Sequence, residues 1–300
     1  MTDSFHRYLR AKRTVDDRAI ERRLVGDLRE ALADRAAATD GPLRVLEIGA
    51  GIGTMVSRAV KWDLLPPGDV AYTAVDVRRE TVESIPEYLR EWAGEHPVSV
   101  SGTDPLVLDA PDRTLTVEPV VADAVAYADG AASNYDLLVG AALLDLLDLD
   151  ALETLLGALA ESGLFYFPIT FDGATRFLPG HPSDRAVERR YHKHMDRKPG
   201  GSSRAGGELL ARLQQLAAVG VLGVAGSDWV VRPVDGTYPD DEAYFLRYVL
   251  DTVETALGEL DGEGVPDLDE WLDCRRDQVA AGELVYLTHQ LDVLGRVGGH

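Results

Sequence analysis

Cysteine is almost missing from this sequence of 300 residues: Cys274 stands alone. A single thiol excludes an internal disulfide and a cysteine-rich zinc centre, and no metal is expected. It fits a reducing, cytoplasmic setting. Long apolar runs are missing too. None approaches the ~20 residues that cross a bilayer, so no membrane partner is expected. The opening MTDSFHRYLRAKR has no apolar core behind its charges and does not read as a secretory leader. Lysine is scarce, with only Lys12, Lys61, Lys193 and Lys198 among 30 bases. Acids number 51, of which 32 are Asp, and the net charge is −21. Nucleic acid is therefore not an expected partner, since a polyanion needs clustered bases. GC-rich coding replaces Lys by Arg but does not add acid. The excess acid resembles proteins of salt-accumulating halophiles, where ions screen self-repulsion.

What is present is an alternation of helical and strand patterns. Ile20, Leu24, Leu28 and Leu32 repeat every four residues and predict one helix over 14–38, broken by Gly41-Pro42. The apolar run 43–49 reads as a buried parallel strand, followed by a Gly-rich turn and a helix over 54–64. Further strands are expected at 70–77, 117–124, 135–143 and 164–170, with helices near 80–93 and 150–161. A hairpin is an option within 98–118. Residues 199–207, PGGSSRAGG, read as a flexible loop. Later come a helix over 208–218, a strand over 220–225, two helices over 240–260 and 267–281, and a closing strand over 283–297. This order predicts an α/β fold with a doubly wound, mostly parallel sheet covered on both faces. Three units are expected: a helical cover over 1–40, an α/β core over 41–233 and 282–300 that includes a basic segment at 181–207, and a helical insertion over 234–281.

The densest signal is VLEIGAGIG. Gly49, Gly51 and Gly53 follow a buried strand and precede a helix, so backbone can lie close to a ligand, with free N–H groups facing an anion. Pyrophosphate and the carboxylate of S-adenosylmethionine are the two options. The dinucleotide form G-x-G-x-x-G/A would need Gly or Ala where Thr54 stands. Glu47, Gly49, Gly51 and Gly53 in the form E-x-G-x-G-x-G instead resemble the first motif of class I S-adenosylmethionine-dependent methyltransferases. Asp76 ends the second strand, where that resemblance implies a carboxylate accepting from both ribose hydroxyls; capping of the next helix is the other reading. Asp123 follows the next strand, where the resemblance implies an acid accepting from the adenine amino group, with the Ala124 N–H against the ring. The strand over 135–143 would end over the methyl donor near Gly140. Its Gly140-Ala141-Ala142 lacks the polar or aromatic residue common there in small-molecule members, so the resemblance names no base. It covers 43–170 well and 206–297 only in outline. The fold it implies is a Rossmann-like sheet of the seven-strand type, with S-adenosylmethionine as cofactor.

The acceptor side is read from single features. Residues 184–204 form one basic island in an acidic chain. Arg189, Arg190 or Arg197 could pair with an acidic group on an acceptor, which leaves room for an anionic substrate; a solvated helix is the alternative. His192 and His194 would share a face on a strand but not on a helix, and read as proton acceptors, metal ligands or plain surface. Asp228, in SDW, could orient an acceptor or turn the chain, while Trp229 stacks or packs. Tyr238, Asp241, Glu242, His289 and Gln290 read as packing or capping. Arg10, Lys12 and Arg13 read as solvated charge. Together these predict transfer of a methyl group to an O or N atom of a small molecule. The alternatives are a donor-binding protein without catalysis and an aminopropyl transferase, which would use acids such as Asp145 and Asp148.

Overall fold

The computed structural model describes residues 2–260 and 264–298. Helices α1 (Thr2–Ala19) and α2 (Arg22–Ala37) lead into β1 (Leu43–Ile48), α3 (Thr54–Lys61), β2 (Gly68–Asp76) and α4 (Arg79–Ala93). Strands β3 (Ser99–Gly102), β4 (Leu106–Ala110) and β5 (Arg113–Val121) follow. Next come α5 (Ala124–Gly130), β6 (Tyr135–Val139), α6 (Leu152–Gly157) and β7 (Leu159–Leu178). The rest carries α7 (Asp184–Met195), α8 (Ala205–Leu213), β8 (Val219–Gly226), β9 (Trp229–Val231), α9 (Glu242–Gly258), α10 (Leu268–Ala281) and β10 (Val285–Val297). Among the described residues no helix is long and apolar enough to cross a membrane.

The fold is α/β, as the alternation predicts. One sheet runs β3-β4-β5-β2-β1-β6-β7-β10-β8, with β9 paired to β10. Its five central strands, β5 to β7, are parallel. Antiparallel pairs flank them on both sides. The optional hairpin within 98–118 is present as β3 and β4, which widen the seven-strand type at one edge. Neighbouring residues alternate between two cores. Val45, Leu137, Leu164 and Tyr166 face the layer that includes α2, α3 and α4. Leu46, Leu138, Phe165 and Phe167 face the layer of α6 and α8. A strand buried on both faces must be apolar throughout, which is why these runs carry no polar alternation.

Several boundaries differ from expectation for tertiary reasons. The helix expected over 14–38 is two helices, and the first begins well before Thr14. Their break is fixed by Asp292 on β10, whose Oδ2 accepts the Glu21 N–H at 2.9 Å. Glu21 then caps α2 by accepting from the Arg23 N–H. The apolar four-residue repeat runs through that break and hides it. The helix expected over 150–161 stops at Gly157, because Leu159 pairs with Tyr135 and opens β7. The strand over 135–143 ends at Val139. The 199–207 stretch is a held turn: the Ser202 N–H donates to Asp145 O at 3.2 Å and the Ser203 N–H to Asp196 Oδ1 at 2.8 Å.

Two features position the site. The chain moves outward from β1 to β2 and β5 on one side and to β6 and β7 on the other, so the order reverses beside β1. A crevice at such a reversal, beyond the carboxyl ends of parallel strands, is where ligands bind in open α/β sheets. Beyond Tyr166, which pairs with Val139 at the end of β6, β7 continues to Leu178 in a ribbon with β10. Helix α7 packs on β7, α9 packs on α7 and α10, and α1 packs on α9 and β9.

Candidate functional site

The glycine turn is built as its sequence requires. Gly49, Gly51 and Gly53 have φ of +66°, +56° and +89°, a region that costs any residue with a Cβ. The Ala50 N–H donates to Val75 O at 2.9 Å, splicing the turn to β2. The Gly51 N–H donates to Asp76 Oδ2 at 3.0 Å, and the Arg78 N–H to Asp76 Oδ1 at 2.9 Å. The Asp76 carbonyl accepts from the Ala122 N–H at 3.1 Å, one residue before Asp123. Three segments far apart in sequence thus meet at Asp76. Apolar side chains border the turn: a Cβ on Gly49 would lie 2.8 Å from Leu143, and one on Gly51 would lie 3.6 Å from Leu9.

Asp123 caps α5, its Oδ1 accepting from the Val125 and Ala126 N–H groups, and stays exposed beside half-buried Ala124. Gly140 follows β6 and is crowded, since a Cβ there would lie 2.9 Å from Leu144. Glu47 does not join these residues. It is buried and accepts from the Tyr72 hydroxyl at 2.8 Å. Burial pushes its carboxyl up to about 8, against the opposing pull of that hydrogen bond and of Arg58. Two residues that the motif did not mark stand beside the acids: Val77, 67% exposed after Asp76, and Val121, 38% exposed two residues before Asp123. Both are apolar side chains left in solvent at the strand ends. The clue in the sequence was a valine directly after Asp76 and another two residues ahead of Asp123.

A cavity of about 640 Å³ opens beside the loop that follows β6. Its wall includes Asp145 and Leu146 from that loop, Tyr191 and His194 from α7, and Tyr244 and Tyr248 from α9. Burial pushes the Asp145 carboxyl up to about 6, although its own backbone N–H, the charge of Lys12 and the Phe171 N–H pull it down. Burial, with the charge of Asp145, pushes the Tyr191 phenol up to about 12. Helix α1 closes the neighbourhood: Tyr8 stacks on Tyr248 with centroids 4.1 Å apart, and the Tyr244 hydroxyl donates to Ser4 O.

The three candidates for catalysis separate. His192 and His194 lie on a helix and so diverge. His194 is buried in the cavity wall, its Nε2 2.7 Å from Glu259 Oε2. His192 turns to Thr175 Oγ1 at 3.0 Å and to the edge of Phe171, and burial lowers its pKa. Asp228 pairs with His289 Nδ1 at 2.7 Å on β10. Trp229 packs and donates to Asp16 Oδ1 at 3.0 Å. The basic island also divides. Arg189, Arg190 and Lys193 border a separate hollow of about 220 Å³, with Arg190 donating to Leu260 O, and Lys198 reaches the main cavity. Glu242, expected as a helix-opening acid, is fully buried and takes Arg18 at 2.5 and 2.8 Å with Thr14 at 2.8 Å. Arg10 and Lys12 are engaged by Glu91 and Asp16. Among the described residues no cluster of three or more His, Cys, Asp or Glu could hold a metal ion.

No family model and no curated protein sequence matches the chain. Solved structures do resemble it. One, a Bacillus halodurans protein assigned as a methyltransferase, is 11% identical with a TM-score of 0.47, covering 91% of this chain and 100% of its own. Phosphoethanolamine N-methyltransferase 2 of Haemonchus contortus is 15% identical with a TM-score of 0.42, over 91% of this chain and 53% of its own. Geranyl diphosphate C-methyltransferase of Streptomyces coelicolor is 10% identical with a TM-score of 0.41, over 89% and 76%. Likeness at this level carries no argument about activity, so the site is judged on its own geometry.

Proposed function

We propose that this protein is a methyltransferase that takes its methyl group from S-adenosylmethionine and passes it to an O or N atom of a small molecule. The observation that carries this reading is the meeting of the glycine turn, Asp76 and the β5–α5 turn at the point where strand order reverses. The residues there suit the donor. Asp76 and Asp123 would hold the ribose and the adenine amino group, Val77 and Val121 would flank the base, and the Ala124 N–H would meet its edge. Gly49, Gly51 and Gly53 would let the methionine end approach backbone at the start of α3, where N–H groups favour a carboxylate. Gly140 would stand at the methyl end. Glu47, though part of the motif, would act from the core, holding β1 and β2 through Tyr72.

When bound, the donor supplies an electrophilic methyl group on a sulfonium. The chain must then exclude water and align an acceptor. Leu9 and Leu143 border the turn and would shield it, and the cavity at Asp145 would take the acceptor. His194 is the candidate base that borders that cavity; His192 and Asp228 do not border it. The aminopropyl-transferase alternative draws on Asp145, but Asp148 is used to cap a turn through the Asp150 N–H. The acidic, lysine-poor composition supports an origin in a salt-rich cytoplasm. The test is turnover: purified protein with S-adenosylmethionine and a low-molecular-weight cell extract should release S-adenosylhomocysteine. Donor binding with no release under any extract would leave a non-catalytic binding protein.

A further inference from the structure

We infer that the cavity between α1, α7 and α9 recognises a small amine with an apolar or aromatic body, held at its nitrogen by Asp145. This rests on the methyltransferase reading for what happens to that amine, but not for its binding.

Three carboxylates stand in the cavity wall, and two have side-chain partners of their own. Glu259 is paired with His194 at 2.7 Å, and Asp251 takes Arg276 at 3.0 Å. Asp145 forms no ion pair among the described residues. Lys12, whose charge reaches it, is held by Asp16 at 2.6 Å. Asp145 is half-buried and held, among the described residues, by backbone N–H groups alone, so its charge is open to a cation from the cavity. The walls agree with this. Tyr191, Tyr244 and Tyr248 present aromatic rings, which attract cations through their π faces. Tyr244 already shows this behaviour, with the Arg7 guanidinium 4.0 Å from its centroid. Leu146, 58% exposed, and Met195 give the apolar surface for the body of the ligand.

Position ties the cavity to the donor edge. Leu143 lies against Gly49, and Asp145 follows two residues later on the same loop. An amine held by Asp145 would therefore stand beside the turn proposed to hold the donor. Of the three arginines expected to favour an anion, Arg189 and Arg190 border the other hollow; from the basic island, Lys198 is the base that lines this cavity.

The experiment is calorimetry on the whole protein with phenethylamine, phenylacetate and 2-phenylethanol, each with and without saturating S-adenosylhomocysteine. Phenethylamine should bind at one site, at least tenfold tighter than phenylacetate or the alcohol. Asp145→Asn should weaken phenethylamine at least tenfold and leave the alcohol within twofold. Tyr248→Leu serves as a second variant and should weaken the amine more than the alcohol. Phenylacetate binding as tightly as the amine, or amine affinity unchanged in Asp145→Asn, overturns the inference. S-adenosylhomocysteine failing to bind while the amine still depends on Asp145 would instead remove the donor reading and keep the amine site.

Discussion

The Gly51 amide donates to Asp76 Oδ2 at 3.0 Å, so the middle of the glycine turn is fastened to the carboxylate that ends the neighbouring strand. The other carboxylate oxygen takes the Arg78 N–H, which fixes the start of α4 as well. A ligand bound at this edge meets a carboxylate already oriented by two backbone donors. Preorganised groups of this kind lose little entropy when they bind.

Among the contacts that fasten helix α1 to the core is one buried base. Arg58 is 2% exposed and reaches Asp17 Oδ1 at 2.6 Å, Arg13 O at 3.2 Å and Asp16 Oδ2 at 3.3 Å. Asp16 in turn holds Lys12 and Trp229. Arg58→Met takes the 2.6 Å partner from Asp17 and one of several from Asp16, and should lower unfolding stability by about 1.5–3 kcal/mol, the range for hydrogen bonds to charged groups. Urea titration measures this; an unchanged midpoint would show that the Arg58 contacts contribute nothing to holding α1.

Glu47 makes stability depend on pH. Its carboxyl sits at about 8 in the fold, above its ordinary value of 4.5, because burial penalises the charged form. The folded state therefore binds a proton that the unfolded state has released. The contribution is complete below about 4.5 and is lost as pH rises through 8, on the order of a few kcal/mol. Glu47→Gln keeps a hydrogen-bonding group for Tyr72 and cannot ionise. The variant should lose less stability than the parent between pH 5 and 8.5, read from denaturant midpoints. Parallel curves for the two proteins would rule this out.

Salt should stabilise the fold. The chain carries −21, and screening of that self-repulsion grows as the Debye length falls from about 10 Å at 0.1 M to about 3 Å at 1 M. The melting temperature should climb with potassium chloride across that range. A flat or falling trend would leave the composition to coding bias.

Much of this fold was legible because its signals are local. The run from Leu43 to Ile48, the glycines after it and Asp76 at the next strand end are fixed by short-range needs: burial on both faces, positive φ, a free strand end. What was hidden depends on distant partners. The α1–α2 break is set by Asp292, more than 250 residues away, and leaves the apolar repeat unbroken. The true length of β7 is set by β10. The same reason separates the site residues. Glu47 fits the motif, yet its side chain is claimed by Tyr72 across the β1–β2 pair. His192 and His194 looked equivalent as a pair until helix α7 turned them to Thr175 and Glu259. Asp145 stood in plain view between leucines, but only the packing of α1, α7 and α9 encloses it in a cavity.

The central claim is that this edge binds S-adenosylmethionine through Asp76, and calorimetry tests it most directly. The parent protein should bind the donor at one site. Asp76→Ala should weaken it by about 1.5–3 kcal/mol, the worth of hydrogen bonds to a charged group. Gly51→Val should abolish it, since a β-branched residue is strained at φ +56° and would crowd the turn beside Leu9. Circular dichroism would confirm that both variants stay folded. Equal affinity in the parent and both folded variants, or no binding by the parent at all, would contradict the account.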